Sequence, residues 1–247
     1  QPRVGGERLY DEGRLSWVGA ALSSFGIVYN RDVHSQLGID QPTTWSDLAD
    51  PRYHHWIALS DPGHSGSIAA TYNTIVRRQG WHEGWRTLRR VYANARYFTS
   101  SSTKVPVDVS AGEAAAGMCI DFYGRFQAGA IQAGGGDRIG YVDPPRMTAI
   151  TADPITILRG APNGELANDF IIWLLSTDGQ GLWQRRIGMP GGPIKFELRR
   201  LPVRVDMYHE REMQHWADQV YPFDIAEPFP ANVPDYYGTI KTISHAM

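Results

Sequence analysis

A chain of 247 residues, 42% hydrophobic and 20% charged, is long enough for one large domain or two lobes with real cores, and too apolar to be disordered. Its formal net charge of −2 gives no basic field, which argues against nucleic acid as a partner. Cys119 is the only cysteine, so no internal disulfide forms, and no apolar run reaches the ~20 residues of a membrane-spanning helix.

Along the chain, Trp17 to Asn30 is small, apolar and β-prone, and reads as a buried strand. A loop at 38–45 and a helical turn at 46–51, broken by Pro51, precede an alternating stretch. This comprises a strand at 57–60, a helix at 66–79 stopped by Gly80, and a second helix from Trp81 to Ala95 with Trp81, Trp85, Leu88 and Tyr92 on one stripe. Ser110 to Ala115 ends a further short helix. Ala116 to Ile120 is a continuous apolar strand, and a helix from Tyr123 to Ala133 ends at Gly134-Gly135-Gly136. Such alternation predicts an α/β layer with helices covering a mostly parallel sheet.

Strands at 139–142 and 154–158 flank a stiff Asp143-Pro144-Pro145 segment. Asn163 can cap an apolar helix from Gly164 to Ser176, followed by another from Asp178 to Ile187, and these two should share a core of their own. Asp206 to Gln219 is read as helical, and Tyr221 to Tyr237 is rich in proline and aromatics without periodicity.

Three turns carry chemistry. Asp61-Pro62-Gly63-His64-Ser65-Gly66-Ser67 joins a strand to a helix through small residues, which leaves the first backbone N–H groups of the helix as donors for an anion. Equally, Ser65 or Ser67 can be a plain N-cap, worth about 1 kcal/mol with nothing bound. Asp121-Phe122-Tyr123-Gly124-Arg125 follows the apolar strand 116–120, and in open α/β sheets ligands sit outside the carboxyl ends of strands. Asp121 as a helix cap is the competing reading. Thr99 to Lys104 is a hydroxyl-rich turn in which Ser101 and Ser102 can donate to a polar solute or simply be solvated, and Asn94 precedes another strand approach. His54 and His55, if in a strand, point to opposite faces and do not share a metal ion. No His-Glu-x-x-His, Gly-x-Ser-x-Gly, phosphate-loop or dinucleotide pattern is present.

In order, Gly26-Ile27-Val28-Tyr29-Asn30, the run Pro42 to Pro51, the Asp61 to Ser67 turn, Gly112-Glu113, and Gly160-Ala161-Pro162-Asn163 through Asp178-Gly179-Gln180 resemble the extracellular solute-binding proteins of ABC transporters. The resemblance covers about residues 17 to 190 and is greatest to the ferric-ion-binding subgroup, whose relatives also take phosphorylated or carboxylated small molecules. It implies a two-lobed type II periplasmic-binding-protein fold that closes on a solute and delivers it to a membrane permease. Residues 1–40 would belong to the first lobe and hinge, 41–147 to the second lobe, 148–200 to the return to the first, and 201–247 to an extension packing on the first lobe. Family members carry further strand–helix units before the segment matching Trp17 to Asn30, so the first lobe is expected to be incomplete at its start.

The resemblance implies a binding protein, periplasmic or extracellular at the cell envelope, acting as a monomer, with no catalytic residue and no cofactor. The expected ligand contacts are Ser65, Gly66, Ser67, Asn94, Ser101, Ser102, Asp121, Tyr123 and Arg125. The subgroup's adjacent tyrosine pair is here Phe122-Tyr123, so an oxyanion fits better than iron, while Tyr123 with Asp121 is the alternative set for ferric iron. A hydrolase or transferase on the same scaffold, and a ligand-sensing module, are the other classes considered.

Overall fold

The computed structural model describes residues 3–225 and 227–243. The strands are β1 (Arg3–Val4), β2 (Glu7–Arg8), β3 (Val18–Asn30), β4 (Ile57–Ser60), β5 (Ala95–Thr99), β6 (Ala116–Ile120), β7 (Ile139–Val142) and β8 (Ile150–Ile155). The helices are α1 (Arg31–Leu37), α2 (Gly66–Gln79), α3 (Trp81–Ala93), α4 (Lys104–Ser110), α5 (Asp121–Ala133), α6 (Gly164–Leu174), α7 (Thr177–Gly181), α8 (Glu210–Met213) and α9 (Tyr237–Ile243). No helix among the described residues is long and apolar enough to cross a membrane.

The chain forms two compact units: residues 1–23 with 150–228, and residues 24–149 with 229–247. The division falls inside β3, between Ser23 and Ser24. A 13-residue strand is long enough to serve both units, a continuity that the local pattern reads only as one strand. The tail is divided as well. Residues 201–228 stay with the first unit, but the segment from Phe229 joins the second.

In the second unit the sheet order is β5-β4-β6-β3-β7. β4 runs parallel to β5 and β6, and β3 lies antiparallel to its neighbours β6 and β7, so every strand of this order except β3 points the same way. Ile57, Ala58, Leu59 and Ser60 are all buried, as expected for a strand covered on both faces. One face packs Ile57, Leu59 and Met118 against Ile68, Tyr72, Ile75 and Val76 of α2 and Trp85, Leu88 and Val91 of α3. The other packs Val28, Ala58 and Cys119 with Val105 and Val109 of α4. Gly124 lets α5 lie on β7, because a Cβ there would come within 2.3 Å of the Tyr141 ring. Full burial pushes the Cys119 thiol up, which fits the small buried hydrophobe read from its neighbours.

The first unit is built on the start of β3, which β8 pairs. Its core gathers Val4, Leu9, Leu22, Ile150 and Leu201. Gln180 is fully buried and satisfied: its amide donates to the carbonyls of Ala20 and Leu174, and its oxygen accepts from the Val203 N–H. The core expected for the helices after residue 163 is largely absent. In α6 only Leu174 is buried, while Leu166 is 68% and Ile172 63% exposed. The second of these helices stops at Gly181, and the stretch 206–219 breaks into short turns around α8 rather than one helix. Strand β8 begins four residues before the predicted start at Pro154.

Candidate functional site

The predicted contacts fall into groups set by strand direction. Because β4, β5 and β6 are parallel, the turns after Ser60, Thr99 and Ile120 all leave the same end of the sheet. Ser65 to Ser67 follow β4, Ser101 and Ser102 follow β5, and Asp121 to Arg125 follow β6.

The turn after β4 is built by Asp61. Its carboxylate accepts from the Gly63 N–H at 2.7 Å and meets His64 Nδ1 at 2.9 Å, while its carbonyl accepts from the Ser65 N–H. Ser65 is the N-cap of α2, its Oγ accepting from the Ile68 N–H at 3.4 Å and its carbonyl from the Ala69 N–H. Gly66 and Ser67 are the first helical residues, so their N–H groups have no carbonyl one turn back in the helix. The hydroxyls form a chain, with Ser65 Oγ and Ser67 Oγ 3.1 Å apart and Ser67 Oγ donating to Ser102 Oγ at 3.4 Å. Ser101 instead pairs with Thr103, at 2.7 Å between hydroxyls. Gly66 and Ser101 are exposed, Ser67 and Ser102 half-buried, and Ser65 buried. At the last residue of β4 the Ser60 hydroxyl is fully buried and has no hydrogen-bond partner.

The turn after β6 is different from expectation. The helix starts at Asp121 rather than Tyr123, and Asp121 is completely buried, so its carboxylate is shielded from solvent. Neither carboxylate oxygen has a hydrogen-bond partner. Burial pushes its pKa up to about 7 against the opposing charge of Arg125, with the charge of Asp143 adding to the rise. Arg125, one helical turn on, is 6% exposed and donates to Asp143, which also accepts from Ser24 Oγ at 2.5 Å and Tyr141 Oη at 3.0 Å. The Arg125 guanidinium also lies 5.3 Å from the Tyr141 ring centroid. Asp121 and Arg125 are therefore joined in an internal polar cluster with Asp143, whereas the expectation placed them at a ligand. Tyr123 alone of the three is half-buried, its ring 4.3 Å from that of Phe122. The Asp121–Tyr123 set considered for ferric iron thus lacks an accessible carboxylate.

Asn94 lies apart from both turns. It sits before β5, at the opposite end of the strands, and its buried amide donates to the carbonyls of Leu48 and Asp50 at 2.9 and 2.7 Å. Its role is to tie two segments together. His54 and His55 lie in a turn and not in a strand, with rings 4.0 Å apart, and among the described residues no group of three His, Cys, Asp or Glu could hold a metal ion.

One residue at the α2 turn escapes the sequence reading. Tyr237 Oη lies 3.1 Å from where a Cβ on Gly66 would stand. Only the adjacent Tyr236-Tyr237 pair could have drawn attention to it, in a tail with no periodic signal.

The profile of the bacterial extracellular solute-binding proteins matches residues 6–221. The chain belongs to this family. Among curated relatives, the phosphoglycerate transport regulatory protein PgtC of Salmonella typhimurium is 26% identical over 167 residues, 68% of this chain and 40% of its own length. Among solved structures of the fold, periplasmic AfuA from Actinobacillus pleuropneumoniae, with fructose-6-phosphate bound, covers 74% of this chain and 56% of its own at 22% identity and a TM-score of 0.62. Iron-bound HitA from Pseudomonas aeruginosa covers 96% of this chain and 71% of its own at 15% identity and a TM-score of 0.66. The chain spans about half the length, or less, of the curated relatives it matches.

Proposed function

We propose that this chain is the solute-capturing part of a binding protein serving an ABC importer outside the cytoplasmic membrane, in the periplasm or at the cell envelope. Its solute is a small oxyanion, a phosphorylated or carboxylated molecule, held at the N-terminus of α2. The observation that carries the reading is the convergence of donors there: the N–H groups of Gly66 and Ser67 with the hydroxyls of Ser67 and Ser102, beside a carboxylate, Asp61, already engaged within its own turn. Hydrogen bonds to a charged acceptor are worth about 1.5–3 kcal/mol each, and the helix end adds roughly 0.3–1 kcal/mol. The names of PgtC, for phosphoglycerate, and of AfuA, with its sugar phosphate, support the same ligand class.

In this reading no bond of the solute is broken, the chain acts as a monomer, and the macromolecular partner is the importer's permease. The test is titration calorimetry of the chain with phosphoglycerate and with inorganic phosphate, alongside native mass spectrometry of ligand carried through purification. Ser67→Ala combined with Tyr123→Ala should weaken binding at least tenfold with folding retained. Unchanged affinity in that variant removes the assignment of the site.

A further inference from the structure

The segment from Phe229 is too rich in proline to form regular structure before α9, so side chains must hold it. It is held along α2. The guanidiniums of Arg77 and Arg78, near the C-terminal end of that helix, lie 3.7 and 4.1 Å from the Phe229 ring centroid. Further on, the Tyr236 ring packs 4.9 Å from that of Trp81. At mid-helix the buried Asn73 amide donates to Asp235 Oδ1 at 3.0 Å and accepts from the Tyr236 N–H at 3.0 Å, and Asp235 in turn accepts from the Tyr237 N–H. Ile240 is fully buried in the same core as α2. This fixed path ends with the Tyr237 hydroxyl over Gly66, the first residue of α2.

One further feature sets this spot apart from an ordinary helix start. Lys241, one turn beyond Tyr237, has its Nζ 5.9 Å from the Tyr237 ring centroid and no carboxylate partner among the described residues. The cations of the neighbouring turns are otherwise engaged, Lys104 with Asp108 and Arg125 with Asp143.

We propose that the segment 229–243 is a binding element of the α2 site: Tyr237 donates its phenolic hydrogen to the oxyanion that Gly66 and Ser67 hold, and Lys241 supplies the compensating positive charge. This rests on the oxyanion reading given above and adds the residues that set its specificity. A phenol in a fixed position selects for a ligand oxygen at one place beyond those bound by the helix N–H groups, and an ammonium one turn away favours dianionic over monoanionic ligands.

The experiment is calorimetry with phosphoglycerate, at low and moderate salt, on the full chain and on Tyr237→Phe, Lys241→Gln and Ser67→Ala. Tyr237→Phe keeps the ring, the Lys241 contact and the packing, and removes only the hydroxyl. It should weaken binding roughly tenfold with an unchanged melting temperature. Lys241→Gln should weaken binding mainly at low salt and flatten its salt dependence. If Tyr237→Phe and Lys241→Gln bind as the wild type does while Ser67→Ala binds weakly, the segment is packing only and the inference is overturned with the site intact. If Ser67→Ala also binds normally, or the wild-type chain binds neither phosphoglycerate nor inorganic phosphate, the site reading falls and the inference with it.

Discussion

The turns after β4 and β6 begin alike, each with an aspartate leaving the end of a parallel strand, yet they do opposite things. Between Asp61 and the start of α2 lie Pro62, Gly63, His64 and Ser65, enough chain for the carboxylate to bond the Gly63 N–H and for Ser65 to cap the helix. The helix end is then open to solvent. Asp121 is itself the first residue of α5, with no turn to accept from, and its carboxylate is enclosed with Arg125 and Asp143. The spacing between aspartate and helix therefore decides whether the carboxylate organises a donor site or becomes part of a buried charge cluster.

That contrast can be broken at four points. Asp143→Ala strands the buried Arg125 without its carboxylate and should cost about 3–5 kcal/mol, read as a lower urea midpoint. A loss below 1 kcal/mol would mean that the cluster is open to water.

Next comes pH. Asp121 has a folded pKa of about 7 against an ordinary 3.8, so the folded chain holds the proton more tightly than the unfolded one. Its contribution to stability is fully present below about pH 4 and is lost as pH rises through about 7. Asp121→Asn should abolish that part of the slope and gain a few kcal/mol at pH 8, with phosphoglycerate affinity unchanged. A slope identical to the wild type would place the titration elsewhere.

Asn94→Ala should cost about 1–3 kcal/mol by leaving the Leu48 and Asp50 carbonyls without their donor, again with affinity unaltered. Weakened binding at constant stability would return Asn94 to the site. The smallest effect is that of Ser65→Ala, about 1 kcal/mol from the lost cap of α2. Here affinity should fall as well, since the cap holds the donors of Gly66 and Ser67 in place, and an effect on stability alone would favour a plain N-cap.

Much of the second unit was legible. The bounds of α2, β4, β6 and β7 follow from Gly80, from the small residues before Gly66 and from uninterrupted apolar runs, all local signals. The reading failed where the outcome depended on distant chain. Asn94 looks like any polar residue before a strand until its partners at Leu48 and Asp50 are in place. The apolar run of α6 has the composition of a core helix, but only Leu174 is covered among the described residues. Tyr237 lies 171 positions from Gly66, and nothing in the intervening sequence says that they meet.

By itself, then, the sequence determined the elements between residues 57 and 79 and between 116 and 142, that helices cover both faces of a largely parallel sheet, and which turns leave the carboxyl ends of its strands. Those features follow from residue periodicity and turn chemistry, which act over a few positions. Tertiary structure alone decided which polar side chains stay accessible. It buried Asp121 and Arg125, turned Asn94 into a tie, and brought Tyr237 to α2, because burial and long-range hydrogen bonds depend on what the rest of the chain packs against each residue.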